Sequence, residues 1–405
     1  MKALFIVPRF LFPLDRGDKI RPFYIAKQLR KLIANIDIIT FWENSSEIKD
    51  EGLKTVRGLF RNLYLIDKTG NIVNFLKNAF FDVGQLRPIQ LAGFYSDEFR
   101  EKLNFIARVN DYDIIYCYHF RMAQYLSRGI FKNSYKILDY ADSVPLIMKR
   151  YFKYSELYER IPLLYEIITS KFYEYNVSKY FDEYWFVSPI DKENVYTNDR
   201  LKKYVIPNGI GEEFIREKKD DYRCSEFRVL FVGYIGKESL EAIKVFYHRV
   251  WSKFKIKFSN VKFIIVGKQD KTHLNKIFGS DKTVLVKGYV ENLSKEYSSA
   301  CVLVAPMIFV AGVQNKILEA MAVGLPVITT PYGNEGIFAI HDKHILIANN
   351  WDEFSVYLEN LYKNVELRRK IGSNGRKFII KKFSWEEAYR RFEKILSNLT
   401  KNSNH

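Results

Sequence analysis

Three short apolar runs in the second half of the chain each end at a glycine, and this repetition constrains the fold more than any other feature. The runs are RVLFVG at 228–233, KFIIVG at 262–267 and TVLVKG at 283–288. Their length and their β-branched residues predict buried strands, and a segment with helical spacing follows each one. Two more strands are predicted at 301–306 and 325–330. Strands and helices that alternate in this way favour a doubly wound parallel sheet.

The first half of the chain carries a similar series of its own. Strands are predicted at 3–7, 36–41, 62–66, 114–118, 137–140 and 184–187, with a long helix over 155–179. The VIPNGIG stretch at 205–211 separates the two series. The fold class is therefore α/β, and we predict two doubly wound, Rossmann-like domains that face a central cleft, one over 1–210 and one over 211–382. Ligands should bind where the strands end at that cleft.

Composition excludes several classes of protein and raises the question of an anionic partner. The 405 residues are 47% hydrophobic and include 20 Gly and 11 Pro, which excludes collagen-like and low-complexity chains. The net charge is +17, and 11 basic against 4 acidic residues lie within 364–401. A basic chain predicts a phosphorylated substrate, an anionic lipid surface or nucleic acid as partner, although lysines that are merely solvated give the same count.

The cysteines and the apolar stretches bear on location. Cys117, Cys224 and Cys301 are odd in number and far apart, so the sequence predicts no disulfide framework and a reducing, cytoplasmic compartment. The longest apolar stretch, 301–313, is interrupted by Pro306 and is shorter than the roughly 20 residues that a membrane span needs. We expect a soluble protein whose membrane contact, if any, is peripheral.

The segment AGVQNKILEAMAVGLPVI at 311–328 is the strongest local motif. Gly312 lets the backbone approach a ligand closely, and the amides of Val313, Gln314 and Asn315 then point beyond the start of a helix. These amides and the helix dipole suit a diphosphate. Glu319, farther along the helix, could accept hydrogen bonds from a sugar diol. The alternative is an ordinary helix start with a surface glutamate.

Three strand-end glycines, Gly233, Gly267 and Gly288, suggest loops that face phosphates, because two of them are followed closely by Lys237 and Lys268. A lysine ammonium in such a loop would neutralise charge on a leaving group. Tight turns with solvated lysines remain the alternative.

In the first half, Gly17 lies in a predicted charged loop that could form a mobile lid, and His119 follows a strand at its carboxyl end. A plain loop and a structural histidine are the alternatives. Asp139 and Asp142 also lie at or after a strand end, but could merely cap the next helix. The D-x-D sequence at 111–113 precedes a strand and is rejected as a metal site. Dinucleotide-binding, P-loop, serine-hydrolase and metalloprotease motifs are absent from the sequence.

Several segments together resemble one family, the GT-B fold glycosyltransferases of family four, also called glycosyl transferases group one. They are VIPNGI at 205–210, LFVG at 230–233, FIIVG at 263–267, V-x-G-Y-V at 286–290 and AGVQNKILEAMAVGLPVITT at 311–330. The opening LFIVPRFLFPLDRGDKIR and LDYADS at 138–143 are similar to a bacterial branch that acts on cell-surface polysaccharides. The resemblance covers nearly the whole chain.

The resemblance implies a retaining, metal-independent transfer of a sugar from a nucleotide-sugar, usually UDP-linked, to a glycan or lipid-linked acceptor. It implies no cofactor besides that donor and no nucleic-acid partner. It also implies that a terminal helix over 383–405 crosses back to the first domain. The basic residues of 364–401 would then lie beside an anionic membrane on its cytoplasmic side.

Site residues also follow from the resemblance. Glu319 would hold the ribose hydroxyls, the amides of 312–315 the diphosphate, and Val290 would line the base pocket. Either Lys237 or Lys268 would offset charge on the leaving phosphate. His119 would contact the donor sugar and Gly17 would belong to a flexible loop near the phosphate.

Two positions depart from the family pattern. Ala311 stands where the first glutamate of E-x7-E is usual, and Tyr234 stands where an arginine usually follows the glycine turn. The first departure bears on donor identity.

Two rival functions use the same features: a nucleotide-sugar 2-epimerase with no acceptor, and a non-catalytic basic binding protein on this scaffold. The net charge and Ala311 are the support for the latter.

Overall fold

The protein was analysed as a computed structural model, which describes residues 1–42, 50–68, 72–127, 129–198, 200–233, 236–267 and 271–402. It divides into two compact units. The first comprises Met1–Pro207 together with Trp385–His405, and the second comprises Asn208–Ser384.

Unit 1 is built on a seven-stranded sheet in which every neighbouring pair of strands is parallel. The strands are β1 (Lys2–Val7), β2 (Asn35–Trp42), β3 (Leu63–Asp67), β4 (Ile114–Tyr118), β5 (Tyr135–Ala141), β6 (Glu183–Phe186) and β7 (Lys202–Val205). Their order across the sheet is β3-β2-β1-β4-β5-β6-β7. The chain therefore reverses its direction of growth between β1 and β4, as a doubly wound sheet does.

Seven helices of unit 1 connect these strands. They are α1 (Gly17–Arg30), α2 (Asp50–Arg57), α3 (Ile72–Gly84), α4 (Asp97–Val109), α5 (Val144–Phe152), α6 (Leu157–Ser178) and α7 (Pro189–Glu193). Helices on both faces of the sheet bury its central strands, which explains why they are continuous apolar runs rather than alternating ones. In β1, for example, five consecutive residues from Ala3 to Val7 are fully buried.

Unit 2 has a six-stranded parallel sheet in the order β10-β9-β8-β11-β12-β13. Its strands are β8 (Phe227–Val232), β9 (Val261–Val266), β10 (Val284–Gly288), β11 (Val302–Ala305), β12 (Val327–Thr329) and β13 (Leu346–Ile347). Its helices are α8 (Glu212–Arg216), α9 (Lys237–Phe246), α10 (Ser252–Lys257), α11 (Lys271–Phe278), α12 (Leu293–Ser299), α13 (Asn315–Val323), α14 (Pro331–Asn334), α15 (Trp351–Lys363) and α16 (Val365–Lys382). The prediction of two doubly wound parallel sheets is confirmed.

The last helix, α17 (Glu386–Asn402), belongs to unit 1. Trp385 stacks on Tyr24 of α1 with ring centroids 5.0 Å apart. Arg391 donates to the buried carboxylate of Glu183, which lies in β6. An aromatic stack and a buried ion pair therefore hold the end of the chain on the first unit.

The cysteine prediction is wrong. Cys224 and Cys301 form a disulfide across 77 residues, and Cys117 is the buried free cysteine. The two bonded residues directly precede the neighbouring strands β8 and β11, which brings their side chains together even though their sequence spacing is uninformative. The inference of a reducing compartment rested on unpaired cysteines, so it loses its basis. Within the described residues no helix is long and apolar enough to cross a membrane.

The start of α1 corrects a second expectation. Gly17 is the first residue of that helix rather than part of a loop, and Arg21, one turn later, is only 1% exposed. The Arg21 guanidinium donates to both carboxylate oxygens of Asp139, at 2.9 and 2.8 Å. This part of the predicted mobile lid is therefore anchored in the core of unit 1.

Candidate functional site

Three glycine turns pack against one another at the carboxyl edge of the unit 2 sheet. The Gly233 amide donates to the carbonyl of Val266 at 3.0 Å, and the Gly267 amide donates to the carbonyl of Gly288 at 2.8 Å. A Cβ added to Gly267 would lie 1.9 Å from the Gly233 carbonyl oxygen. Only glycine fits there, so the backbone forms the surface at the ends of β8, β9 and β10.

Helix α13 begins beside this edge, after β11. Gln314 occupies the cap position, but its side chain donates to the Ala311 carbonyl at 3.1 Å and does not cap the helix. Gly312 has a φ of 72°, a conformation that glycine adopts without strain. The first-turn amides of a helix have no intrahelical acceptor, and the helix dipole adds positive potential there. Gly312, Val313, Gln314 and Asn315 thus precede or open a helix of the kind that binds anions.

Lys316 connects the helix start to the glycine turns, and the sequence analysis did not identify it. Its Nζ lies 2.8 Å from the position that a Cβ would take on Gly233, and 4.8 Å from the ring centroid of Phe231. The sequence did hold a signal for Lys316: it is a lysine in the first turn of the helix whose amides were predicted to bind a diphosphate. Lys268 lies outside the described residues, and of Lys237 the structure describes the backbone, at the start of α9. The predicted roles of both remain predictions.

Glu319 lies one turn beyond Lys316 and is half-buried. Its carboxylate accepts a hydrogen bond from the hydroxyl of Tyr297 at 2.9 Å. The pKa of Glu319 is raised to about 7, chiefly by burial and also by the charge of nearby Glu213, while the hydrogen bond from Tyr297 and the charge of Lys316 lower it. A carboxylate that titrates near neutrality is characteristic of functional sites.

Asn315 and Val290 complete the residues predicted in unit 2. The Asn315 side-chain oxygen accepts from the side-chain amide of Asn208 at 2.9 Å. Asn208, in the PNG sequence, is 7% exposed and orients the first residue of α13. Val290 is half-buried two residues after β10, and its assignment to a base pocket stays a prediction.

His119 in unit 1 follows β4 with a φ of 70°, a left-handed conformation that is uncommon outside glycine. Its amide donates to the Asp139 carbonyl at 2.7 Å. The ring Nδ1 accepts from the Arg121 amide at 3.4 Å, which leaves the proton of a neutral ring on Nε2. Burial, and then the charges of Arg121 and Arg9, hold the pKa of His119 well below its usual value. The imidazole is therefore neutral and can donate from Nε2.

Charged residues missed by the sequence analysis surround His119. The Arg9 guanidinium donates to Asp18 at 2.8 Å, and Arg121 donates to the side chain of Gln90 at 2.9 Å. Asp139 does not cap a helix, since Ser143 caps α5. In the described part of the chain, no group of three or more His, Cys, Asp or Glu side chains could hold a metal ion.

Comparison with known proteins identifies the unit that carries the glycine turns and α13. Residues 226–364 match the family described as glycosyl transferases group 1. This segment is similar to a group 1 glycosyltransferase domain. It includes Gly233, Gly267, Val290, Lys316 and Glu319, so the candidate site lies within it.

A relative and two solved structures extend the likeness beyond the group 1 domain. The chain is 22% identical to an uncharacterized 44.6 kDa protein in the cps region of Klebsiella pneumoniae, over 93% of this chain and 95% of the relative. Sucrose-phosphate synthase from Thermosynechococcus elongatus matches with a TM-score of 0.71 and 15% identity, over 99% of this chain and 100% of that one. The Anabaena protein Alr3699/HepE, in complex with UDP and glucose, matches with a TM-score of 0.65 and 13% identity, over 98% and 99%. The fold of the chain is GT-B.

Proposed function

We propose that the protein is a retaining, metal-independent glycosyltransferase that moves a sugar from a UDP-sugar to a glycan or lipid-linked acceptor in cell-surface polysaccharide synthesis. One observation carries the proposal: Lys316 Nζ lies against Gly233, at the glycine turns, while its own helix starts beside them. A cation and unsatisfied amides at one sheet edge suit the diphosphate of a nucleotide-sugar.

Two of the comparisons support the choice of donor and pathway. The Anabaena protein of the same fold is described with UDP and glucose bound. The Klebsiella pneumoniae relative is encoded in a cps region. A UDP-sugar donor and a polysaccharide acceptor are consistent with both.

In the proposed mechanism the chain stabilises the departing diphosphate electrostatically. Negative charge builds on the leaving phosphate as the bond to the sugar breaks, and Lys316 and the amides of Val313 to Asn315 offset it. Each such group contributes a few kcal/mol when it is preorganised. The acceptor hydroxyl attacks from the same face and gives its proton to the departing phosphate. Because the chain itself supplies the positive charge, no divalent cation has a required place in this scheme.

Glu319 would bind the ribose hydroxyls of the nucleotide in its ionised form. Its carboxylate already accepts one hydrogen bond, from Tyr297, and the oxygens retain further acceptor capacity. His119 is assigned to the donor sugar on the strength of the resemblance, and its neutral ring can donate from Nε2 to a sugar hydroxyl. A cytoplasmic location was predicted from unpaired cysteines, and the Cys224–Cys301 disulfide removes that support.

The experiment that tests the proposal is calorimetric titration with UDP, and with GDP for comparison, in EDTA. We expect micromolar affinity for UDP in EDTA and a loss of tenfold or more, about 1.4 kcal/mol, in Glu319→Ala. Glu366→Ala is the matched control, because that glutamate lies on the exposed surface of the same unit. Absence of UDP binding by folded wild-type protein would contradict the proposal.

Product analysis then separates the rival functions. Incubation with UDP-sugar alone should leave its configuration at the second carbon unchanged, whereas a 2-epimerase would interconvert two donors. Transfer to a lipid-linked acceptor with retained anomeric configuration completes the expected result. Salt-dependent binding to nucleic acid without nucleotide affinity would instead indicate a basic binding protein.

A further inference from the structure

Large apolar side chains are exposed in an unusual concentration on two helices of unit 1, α3 and α6. Of 28 exposed large apolar residues among those described, 14 lie on these two helices, which together contain 35 residues. On α3 the side chains of Phe80 and Ile72 are 84% and 72% exposed. On α6 the side chain of Ile161 is 80% exposed. Contiguous apolar surface of this kind marks an interaction site.

Six of the seven exposed large apolar residues of α6 form a continuous stripe. They are Leu157, Ile161, Leu164, Ile168, Phe172 and Tyr175. Successive members are three or four residues apart, which places them on one side of a helix. At 1.5 Å per residue, the stripe is about 27 Å long. An apolar stripe of this kind usually packs against a protein core, yet on α6 the stripe is exposed to solvent.

Arg87, three residues after the end of α3, connects that helix to α6. Tyr165 in the middle of α6 donates from its hydroxyl to the Arg87 carbonyl at 3.0 Å. Arg87 in turn pairs with Asp82 near the end of α3, with 3.4 Å between Nε and the carboxylate. Asp82 is the buried residue of α3, so the apolar residues on either side of it remain exposed. We call the exposed apolar residues of α3 and α6 together the apolar face.

The charged residues around the apolar face are mostly basic where they are exposed. Lys77 on α3, Lys149 on α5, Lys153 just after it and Arg160 on α6 are all exposed. Among residues 72–84 and 144–178, Glu156 is the exposed carboxylate. Asp82 and Glu174 in these segments are buried, and Glu174 accepts from Tyr140. Two further carboxylates of α6 are half-buried: Glu159 accepts from the Tyr151 hydroxyl and Glu166 from the side chain of Gln90. The edge of the apolar face is therefore complementary to an anionic surface.

We propose that the apolar face docks on an anionic lipid bilayer. The hydrogen-bonded backbones of α3 and α6 allow both helices to lie in the membrane interface. Their phenylalanine and tyrosine side chains suit the boundary between headgroups and acyl chains, and exposed lysines attract anionic headgroups. Helix α3 exposes apolar residues around more than half of its circumference, which fits insertion into lipid better than a flat protein interface.

The C-terminal basic segment offers less exposed charge than its residue count suggests. Arg368 is buried and donates to the Tyr222 carbonyl, while Arg376 and Lys382 donate to backbone carbonyls of their own unit. Arg391 is paired with Glu183. These four basic residues have structural roles, so the apolar face is the better candidate for membrane contact.

The test is flotation of the full chain with vesicles of phosphatidylcholine alone or with about 30% phosphatidylglycerol, a fraction that gives a negative surface potential. We expect binding to the anionic vesicles and at least tenfold weaker binding by Phe80→Ser combined with Ile161→Ser. Ile256→Ser is the matched control, because Ile256 is also 84% exposed but lies on α10 of unit 2. The inference goes beyond the proposed function and is independent of it, since no nucleotide or acceptor is present.

A second pair of variants tests the charges. Lys149→Glu with Lys153→Glu should weaken binding to anionic vesicles, whereas Lys370→Glu with Lys377→Glu on α16 should leave it unchanged. Unaltered UDP affinity and thermal unfolding would show that each variant is folded. The inference is overturned by a wild-type protein that does not float, by an equal loss in the Ile256 control, or by a loss confined to the α16 pair. A dimer in sedimentation that Phe80→Ser dissociates would identify a second copy as the occupant instead.

Discussion

Lys316 Nζ lies 2.8 Å from the position that a Cβ would occupy on Gly233. The lysine comes from the first turn of α13 and the glycine directly follows β8, so two residues 83 positions apart in the sequence meet at the edge of one sheet. The absence of a side chain on Gly233 is what admits the ammonium group. We therefore assign Lys316, on the helix, to the leaving phosphate, while the roles of Lys237 and Lys268 after the glycine turns remain predictions.

The first prediction concerns Gly233→Ala. The added methyl group would displace the Lys316 ammonium, and we expect UDP affinity to fall about tenfold, or 1.4 kcal/mol. Gly279→Ala is the control, because Gly279 has a φ of 57° but no atom within 4 Å of an added Cβ. It should cost about 1 kcal/mol of stability through backbone strain and leave affinity unchanged. Wild-type affinity in both variants would contradict the role given to the Gly233 contact.

The second prediction removes the charge itself. Lys316→Met should keep a side chain of similar length but lose the ammonium, and we expect a tenfold to hundredfold loss of UDP affinity with a larger loss of transfer rate. Uridine, which has no phosphate, should bind both proteins equally. Lys287→Met is the control, since that lysine pairs with Glu296 on the same unit. Equal losses for uridine and UDP would mean that the variant disturbs the fold rather than phosphate binding.

Much of the fold was predictable because buried parallel strands are continuous apolar runs. The strand predictions at 114–118 and 262–267 correspond to β4 and β9 within one residue. Strands β7 and β13 were missed, since β7 is half-exposed and charged and β13 has only two residues. A pattern based on apolar runs does not detect such edge strands.

The site was predictable only in its local parts. The helix start at 312–315 has a sequence signature, because glycine and the amides that follow it act within one segment. The contact of Lys316 with Gly233 and the Cys224–Cys301 disulfide depend on which strands are neighbours. From the sequence alone Asp139 could be a ligand or a helix cap, because its partner Arg21 is 118 residues away and is not visible from the local sequence.

The third prediction follows from the titration of Glu319. Burial raises its pKa from 4.5 to about 7, so the folded protein holds a proton that the unfolded chain has released. The free energy of unfolding should therefore decrease as pH rises from about 4.5 to 7. Glu319→Gln should lack this decrease. Urea unfolding of both proteins at pH 5 and pH 8 tests it: the free energy of unfolding of the wild type, relative to that of Glu319→Gln, should be lower at pH 8 than at pH 5.

The same titration should affect nucleotide binding. The ionised carboxylate accepts hydrogen bonds from the ribose better than the protonated form, so wild-type affinity for uridine should increase between pH 6 and pH 8. Uridine avoids the titration of the phosphates. Affinity in Glu319→Gln should be lower and independent of pH over this range. A parallel increase in both proteins would assign the effect to another group.

The fourth prediction concerns the Cys224–Cys301 disulfide. Protein purified without reductant should show one reactive thiol in denaturant, that of Cys117, and three after reduction. Because the bond closes a loop of 77 residues, Cys301→Ser should lower the free energy of unfolding by about 2 to 4 kcal/mol. Cys117→Ser tests the loss of a cysteine outside the bond. Three reactive thiols in the unreduced protein would contradict the disulfide.

The fifth prediction concerns Arg21 and Asp139, whose side chains are 2% and 0% exposed. Removing one member of a buried ion pair leaves the other charge without compensation, so Arg21→Met should cost about 3 to 5 kcal/mol. Arg223→Met breaks an exposed pair with Asp221, and we expect a far smaller loss of stability, because solvent screens that pair. Urea unfolding monitored by tryptophan fluorescence provides both values.

A double variant distinguishes the buried charge from a general packing defect. In Arg21→Met with Asp139→Asn no charge remains, and the amide oxygen can still accept from the Tyr116 hydroxyl that now bonds to Asp139. We therefore expect the double variant to be more stable than Arg21→Met alone. This comparison also applies if Arg21→Met does not fold, because the double variant should then recover folded protein. A double variant as unstable as the single one would show that Arg21 acts through its packing, or through its hydrogen bond to the Ile206 carbonyl, and not through the ion pair.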